Sequence, residues 1–359
     1  MKIENINILH QGSSPTDLPT EGLGFGRYFT KLIFTQQYDP ENGWHKREIK
    51  NRSSLDLDPT AQIFHCGQGI FEGIKAFQQA DGQVAFFRIE EHLRRFNKSA
   101  IRMAMPTIEL DNHLEAIKKL VALEKNWIPS SEGAALYIRP VMIANESTLE
   151  VRASNTFMHF ILLSPVGPYF GNGLNPVSVY ISHDYVRAVQ GGTGEAKTIG
   201  NYAASLLATE NARKDGFQQV LWLDANERRY VEEVGGMNIA FVYGDTHIST
   251  PGLTGSILPG VTRDSIAKLS ASLGFTFSED KIDINILLKD LRSRNVTEVF
   301  AMGTGAIIAP VGRLKYMDEE IIVNEQRVGP VSQTLFKALT DIHYGRTSAP
   351  TGWLQHLAR

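Results

Sequence analysis

The feature that most limits the possible folds is a break near the middle of the chain. Residues 164–176 read SPVGPYFGNGLNP, a run of proline, glycine and asparagine that favours neither helix nor strand. At 359 residues, the chain is also longer than one ordinary domain. We therefore expect two domains, covering residues 1–165 and 177–359, with residues 166–176 as the linker between them.

The two halves of the chain differ in how their apolar residues are spaced. In the first half, helical spacing covers residues 90–105 and 111–127, with Asp111 as the expected N-cap of the second helix. The second half alternates short apolar runs with helices that have a glycine just past their ends. Its expected strands are 177–181, 219–224, 238–243 and 298–302, and its expected helices are 203–215, 262–273 and 331–343. Together these patterns predict a mixed α/β protein.

Charge and composition argue against several classes of function. There are 36 basic and 39 acidic residues, so nothing indicates a basic surface for nucleic acid or an anionic membrane. The single cysteine, Cys66, rules out an intrachain disulfide and fits a reducing compartment. The ten histidines show no metal-ligand spacing, so we expect no metal site. The first residues have no signal or transit pattern, which predicts a cytoplasmic protein.

The most unusual segment for chemistry is residues 191–202, GGTGEAKTIGNY, which places Lys197 among glycines and small residues. It is open to three interpretations. The first is an exposed loop with a solvated lysine. The second is a phosphate-binding P-loop, in which Ala196 would replace a glycine and Gly200 and Asn201 should break the helix that follows. The third is a lysine that binds pyridoxal phosphate as a Schiff base, since a desolvated lysine becomes a nucleophile.

Pyridoxal phosphate requires an anion site and an acidic partner in addition to a lysine. Residues 259–264, PGVTRD, lead into an expected helix whose first N–H groups, near Val261 and Thr262, are suited to bind phosphate. A plain N-cap made by Thr262 explains this segment equally well. Residues 231–238, VEEVGGMN, place an acid before a glycine pair and an expected strand, although such an acid is often only a solvated turn residue.

Seven ordered segments carry a resemblance that covers nearly the whole chain: GQGIFEGIKAF (67–77), FRIEEHLRRFNKSAIRM (87–103), YIRPVMIANE (137–146), GGTGEAKTIGNYAASL (191–206), EVGGMN (233–238), ILPGVTR (257–263) and GTGAIIAPV (303–311). The chain resembles the branched-chain amino acid aminotransferases, which are fold type IV pyridoxal-phosphate enzymes. This resemblance implies an α+β or mixed α/β fold of two domains. The N-terminal one would be smaller, and the larger C-terminal one would have a mixed, barrel-like sheet.

The resemblance also implies roles toward the cofactor, pyridoxal 5′-phosphate. Lys197 would form the Schiff base and remove the Cα proton of the substrate. Tyr202 would hydrogen-bond the phenolic oxygen, and Glu233 would pair with the pyridine nitrogen. The cofactor-binding set would be completed by Arg95, Val261, Thr262 and Thr304.

For the substrate, the resemblance implies that Thr304 and Gly305 hold the α-carboxylate through their backbone amides. The side-chain pocket would be formed by Phe25, Phe71, Tyr137 and Arg139. Leu149 and Val151 match positions that the family contributes from a neighbouring subunit, so a homodimer is implied. One departure concerns Cys66, which stands where tyrosine is frequent and leaves the side-chain preference open.

The implied reaction is amino-group transfer from L-leucine, L-isoleucine or L-valine to 2-oxoglutarate. Its products would be the branched-chain 2-oxo acid and L-glutamate, formed by ping-pong kinetics. A D-amino acid aminotransferase, an aminodeoxychorismate lyase and a catalytically silent binding protein are the alternatives that remain open on the same sequence.

Overall fold

The structure is a computed structural model that describes residues 5–10, 12, 19, 22–169 and 174–358. The chain divides into two compact units, Met1–Gly171 with Ala196–Ile199 and Thr340–Arg359, and Asn172–Glu195 with Gly200–Leu339. The first unit contains more residues than the second, although we expected the smaller domain at the N-terminus, because two later segments belong to it. The linker proposed from sequence includes residues 170–173, which lie outside the described residues, so its bounds stay a prediction.

The first unit is built on a large sheet. Its strands are β1 Asn7–Ile8, β2 Leu32–Asp39, β3 Gly43–Asn51, β4 Gly69–Phe71, β5 Ile74–Gln78, β6 Val84–Phe87, β7 Ala135–Ala144, β8 Phe157–Val166 and, near the C-terminus, β18 Leu354–His356. Their order is β1-β3-β2-β8-β7-β5-β6-β18, and β4 pairs with β7. All pairs are antiparallel except β1 with β3. Consecutive strands can therefore be joined by short turns.

Helices lie between the strands in the first half of the chain. They are α1 Gln62–Cys66, α2 Ile89–Arg102 and α3 Leu110–Leu123, followed by the 3₁₀ turn Lys125–Trp127. Leu93, Phe96 and Ala100 of α2 are buried, as their helical spacing predicts. The predicted N-cap at Asp111 is wrong, because α3 begins after Glu109 and Asp111 lies inside its first turn, where a carboxylate favours the helix dipole instead.

The second unit contains another sheet of nine strands. They are β9 Val177–Ile181, β10 Gln219–Leu223, β11 Val231–Val234, β12 Asn238–Tyr243, β13 His247–Pro251, β14 Thr276–Asp280, β15 Val296–Gly303, β16 Ile307–Tyr316 and β17 Glu319–Ile322. The order is β11-β10-β9-β16-β15-β12-β13-β14, and β17 pairs with β16. Parallel and antiparallel pairs both occur, since β9 runs parallel to β10 and β16 while β12 runs antiparallel to β15. The sheet is therefore mixed, as expected.

Three of the later helices agree with the expected ranges, and the helices at 199–203 and 284–292 were not predicted. The later helices are α4 Ile199–Ala203, α5 Leu206–Lys214, α6 Val261–Ser270, α7 Ile284–Arg292 and α8 Pro330–His343, with 3₁₀ turns at Ala271–Leu273 and Asn324–Gln326. Gly216, Gly274 and Gly345 follow helix ends with positive φ, between 68° and 81°, which only glycine adopts readily. Among the described residues, no helix combines the length and the apolar character that crossing a membrane requires.

Two buried histidines of the first unit lie in surroundings that disfavour their charged form. The ring of His343 stacks on Phe77, with centroids 4.5 Å apart, and the ring of His113 packs against Phe96 at 5.1 Å. None of the four ring nitrogens has a hydrogen-bond partner among the described residues. Burial therefore lowers the pKa of each histidine to about 3. In the unfolded chain, both histidines have an ordinary pKa of about 6.5. Below that pH they bind protons in the unfolded chain but stay neutral in the folded one.

We expect stability to be lost as the pH falls below about 6.5, by about 2 kcal/mol per buried histidine between pH 7 and pH 5. His343→Phe keeps a flat ring against Phe77 but removes the titrating group, so it should remove about 2 kcal/mol of that loss. The measurement is urea unfolding at both pH values. His183→Phe, at a position whose side chain is 50% exposed, is the control and should keep the full loss. An unchanged pH dependence in His343→Phe would contradict this account.

Candidate active site

The segment around Lys197 pairs with strand β4 in the first unit. Lys197 donates its backbone N–H to Ser99 Oγ at 2.9 Å, and its carbonyl accepts the N–H of Phe71 at 3.0 Å. The next residue, Thr198, forms an antiparallel bridge with Ile70. The lysine Nζ lies 5.0 Å from the centre of the Phe71 ring. The backbone on both sides of this lysine is therefore fixed, while its side chain is half-buried beside an aromatic face.

A short helix, α4, follows the lysine. Gly200 and Asn201 lie inside it, so our expectation that they break a helix is wrong. The Asn201 side chain explains the difference, because its Oδ1 accepts the hydroxyl of Thr193 and its Nδ2 donates to the Thr193 carbonyl, both at 2.7 Å. These two bonds tie the helix to the preceding glycine-rich loop and offset the poor helix propensity of the two residues.

Arg95 is held by a buried carboxylate that the sequence did not reveal. Its Nε lies 2.6 Å from Glu72 Oε1, and its Nη2 lies 2.9 Å from Glu72 Oε2. The same Oε2 accepts the N–H of Gly73 at 2.9 Å and lies 3.2 Å from His92 Nδ1. Glu72 is fully buried and Arg95 nearly so. Both oxygens of Glu72 are thus engaged, and the plane of the arginine fork is fixed.

The charges of this cluster follow from its contacts. Burial raises the pKa of Glu72, but the charge of Arg95 and the hydrogen bonds from His92 and Arg95 outweigh it, so this pKa lies well below its usual range. Burial lowers the pKa of His92, with Glu72 opposing the shift. Because an ionised carboxylate only accepts hydrogen bonds, the neutral His92 ring carries its proton on Nδ1. Glu72 and Arg95 therefore form a buried ion pair supported by a neutral histidine.

The side-chain pocket residues of the first unit lie together. The rings of Phe25 and Tyr137 meet edge to face, 4.8 Å apart. Arg139 donates from Nη2 to the Tyr137 hydroxyl at 3.0 Å, and its guanidinium lies 4.6 Å from the centre of the Phe71 ring. Arg139 Nε is buried without a hydrogen-bond partner among the described residues. The cluster thus combines an aromatic surface with one cationic group.

Leu149 and Val151 lie on the stretch between β7 and β8. Leu149 is 67% exposed and Val151 is 95% exposed. Cys66 ends helix α1 and is also exposed. The structure therefore places these three residues at the surface of their unit, and their assigned roles stay predictions.

A second lysine of the first unit has unusual surroundings. Lys75, on β5, is only 5% exposed, and burial lowers its pKa to about 8. An amine with such a pKa is partly neutral at physiological pH and hence a better nucleophile than a solvated lysine. Judged by nucleophilicity alone, Lys75 is the alternative to Lys197 as the lysine that binds an aldehyde.

In the second unit, Glu233 is held on β11 by three groups. Its Oε1 accepts the N–H of Leu258 at 2.8 Å and the Asn238 side-chain amide at 3.1 Å. Its Oε2 lies 2.8 Å from Arg187 Nε. Glu233 is only 2% exposed, so the solvated turn residue that the sequence also allowed is excluded. The carboxylate has a fixed position at the end of the strand.

Several other second-unit residues lie close to the end of β11. Gly236, in the turn after β11, lies against the ring of Tyr202, where an added Cβ would come within 3.2 Å of Cε1. Met237 in that turn packs beside Gly303, where an added Cβ would come within 3.2 Å of Met237 Cγ. Residues 304–305 follow directly in the turn between β15 and β16. The turn that follows the strand of Glu233 and the turn of residues 304–305 are therefore neighbours.

The N-terminus of α6 is shaped by Gly260. This residue takes the N-cap position with extended backbone, and no side chain caps the helix. The alternative N-cap made by Thr262 is therefore wrong, because Thr262 is the second residue of the helix and Val261 the first. A Cβ on Gly260 would come within 2.0 Å of Asn238 Oδ1. Backbone N–H groups and the helix dipole at such an end favour an anion.

Sequence reasoning missed the residues that hold the predicted ones in place: Glu72, His92, Ser99, Arg187 and Asn238. The only available signal was the charged Glu72 within the apolar GIFEGI segment. Among the described residues, no group of three His, Cys, Asp or Glu side chains is placed to hold a metal ion.

Gly260→Ala should destabilise the protein by about 1–3 kcal/mol, since its Cβ must displace a buried side chain. Asn238 cannot move aside without breaking its bonds from Nδ2 to Glu233 and to the Leu258 carbonyl. Gly252→Ala is the matched control, because its Cβ would have no heavy atom within 4 Å. Thermal unfolding should show a clear loss for Gly260→Ala alone. Equal melting temperatures for the two variants would contradict the close contact.

Comparison with known proteins identifies the family of the chain. A family model described as amino-transferase class IV matches residues 69–314. A protein of Staphylococcus aureus (strain N315), named probable branched-chain-amino-acid aminotransferase, is 47% identical over 354 residues, which cover 98% of this chain and 97% of that protein.

Solved structures give the same result. The Escherichia coli branched-chain amino acid aminotransferase is 29% identical, with a TM-score of 0.77 over 91% of this chain and 99% of that one. The T.th. branched-chain amino acid aminotransferase, complexed with N-(5′-phosphopyridoxyl)-L-glutamate, is 26% identical, with a TM-score of 0.73 over 91% and 98%. The expected mixed α/β, fold type IV architecture is confirmed. The P-loop interpretation loses its support, and the chain belongs to the class IV aminotransferases, the family of the branched-chain-amino-acid aminotransferases.

Proposed function

We propose that this enzyme transfers the amino group of L-leucine, L-isoleucine or L-valine to 2-oxoglutarate, with pyridoxal 5′-phosphate as its cofactor. The observation that supports this most directly is Lys197, whose peptide is fixed by Ser99 and Phe71 while its side chain remains beside an aromatic ring. The products are the branched-chain 2-oxo acid and L-glutamate. The names of the similar proteins support the same substrates.

The residues present fit the three requirements of this cofactor. Lys197 is the amine that binds its aldehyde. Arg95 in the first unit and the α6 N-terminus in the second, at Val261 and Thr262, are suited to its phosphate. The close packing of Gly260 against Asn238 supports a fixed backbone at that helix end. Glu233 is the acidic partner of the pyridine nitrogen.

When bound, the cofactor supplies an aldehyde that takes up the amino group and a ring that accepts the electron pair released at Cα. Lys197 would be the general base that takes the Cα proton and donates it again to complete the transfer of the amino group. Glu233, fixed by Leu258, Asn238 and Arg187, holds a proton on the pyridine nitrogen, where negative charge would otherwise develop. The Tyr202 hydroxyl binds the phenolic oxygen.

The substrate is bound by different groups at its two ends. The backbone amides of Thr304 and Gly305 hold the α-carboxylate, and Thr304 also contacts the cofactor. An aromatic surface suits a branched apolar side chain, because each buried CH₂ contributes about 0.8 kcal/mol. Phe25, Phe71 and Tyr137 supply that surface. Arg139, with the Tyr137 hydroxyl, binds the distal carboxylate of glutamate, which lets one pocket accept both substrates.

We further propose that the active unit is a homodimer in the cytoplasm. Leu149 and Val151 are apolar yet largely exposed, which suits residues that complete the site of a neighbouring subunit. The single, exposed Cys66 supports a reducing compartment.

The test of the reaction is steady-state kinetics of the purified enzyme with L-leucine and 2-oxoglutarate. Parallel double-reciprocal lines are expected, because the first product leaves before the second substrate binds. D-Leucine and D-alanine should be inert.

Lys197→Ala should lower kcat by about 10³-fold or more, since both the covalent attachment and the proton transfer are lost. Lys214→Ala, which removes an exposed lysine of α5, is the control and should be fully active.

Intersecting lines would contradict the ping-pong mechanism. A preference for D-alanine would assign the chain to the D-amino acid branch of the same fold. Full activity of Lys197→Ala would remove this lysine from its role.

A further inference from the structure

Helix α2 presents three buried polar residues on one face. His92, Arg95 and Ser99 follow a spacing of three and four residues, which aligns them along the helix. They are 2%, 7% and 1% exposed. Burying a polar group costs free energy unless the group is hydrogen-bonded. The hydrogen-bond partners of these three residues therefore indicate which parts of the chain this face of the helix keeps in position.

Ser99 has an unusual partner for a serine inside a helix. Buried helix serines often bond a carbonyl one turn earlier, as Ser265 and Ser270 of α6 do at 2.7 Å. Ser99 Oγ instead accepts the backbone N–H of Lys197, a residue 98 positions later in the sequence. This hydroxyl is therefore a side-chain support for the peptide of the reactive lysine.

The contacts around Lys197 form a closed ring. Its carbonyl accepts the N–H of Phe71, and the next residue, Glu72, binds Arg95 through both carboxylate oxygens. Arg95 is joined to Ser99 by one turn of rigid helix, about 6 Å along the axis. Ser99 returns to Lys197. The ring thus fixes the spacing between the lysine that we assign to the aldehyde of the cofactor and the arginine that we assign to its phosphate.

We propose that Ser99 is a positioning residue for the reaction and acts through the backbone of Lys197. This inference rests on the proposed function of that lysine. Proton transfer at Cα requires the amine within a narrow range of positions, and a displacement of about 1 Å can cost about 10²-fold in rate. Without the Ser99 hydroxyl, this hydrogen bond to the Lys197 N–H is lost and the peptide can shift.

The test compares Ser99→Ala with Ser270→Ala, using enzyme saturated with pyridoxal phosphate. Both variants truncate a helix serine that is 1% exposed, but the Ser270 hydroxyl bonds a carbonyl of its own helix. We expect Ser99→Ala to lower kcat by about 10-fold to 100-fold, while its KM for L-leucine changes little. The deuterium isotope effect with L-leucine labelled at Cα should increase, because proton transfer becomes slower. Ser99→Thr keeps the acceptor and should restore a wild-type isotope effect.

Three results would each overturn the inference. The first is wild-type kcat in Ser99→Ala. The second is a lower kcat with an unchanged isotope effect, which would place the loss outside proton transfer. The third is a Ser99→Thr variant that behaves like Ser99→Ala. Lys197→Ala is measured alongside: if it stays active, the proposed function of the lysine fails, and if it is inactive while Ser99→Ala matches Ser270→Ala, only this inference fails.

Discussion

The buried ion pair between Glu72 and Arg95 is the interaction on which the arrangement of the first unit depends. It joins the segment just after strand β4 to helix α2. Both elements contact the Lys197 segment, because β4 pairs with that segment and Ser99 of α2 accepts the backbone N–H of Lys197. A buried ion pair adds little net stability, because desolvation of both charges offsets their attraction. Its contribution here is geometric, since a bidentate fork fixes an arginine in one orientation. The ion pair therefore determines where a cationic group and a lysine stand relative to each other.

The second unit also holds a charged group in place with a buried ion pair, but there the positioned group is the acid and not the arginine. There the group that we assign to the cofactor is the carboxylate of Glu233, and its ion-pair partner is Arg187. Backbone and amide donors from Leu258 and Asn238 complete its position. Asn238 also limits residue 260 to glycine, so the carboxylate and the start of α6 depend on one side chain. In both units, a buried partner with no catalytic chemistry of its own orients the group that would meet the cofactor.

Periodicity and glycine placement predicted the longer helices and four strands of the second half, but not the individual strands of the first half or α7. The strand at 238–243 and the helix ends at Gly216 and Gly274 depend on local backbone preference, which sequence carries directly. The fold type and the family came from the ordered motifs and are confirmed. The helix over Gly200 and Asn201 was missed, because the Asn201 side chain bonds residue 193 and overrides local propensity. The supporting side chains were also missed, since pairs such as Ser99 and Lys197 are distant in sequence and show no spacing pattern.

The central claim is that Lys197 is the lysine that binds the cofactor, and reduction with borohydride followed by peptide mass mapping tests it most directly. The account predicts one phosphopyridoxyl group on the peptide that contains Lys197 and none elsewhere. The competitor is Lys75, which is buried and has its pKa lowered to about 8 by that burial. An adduct on Lys75, or a protein that takes up no pyridoxal phosphate, would contradict the account.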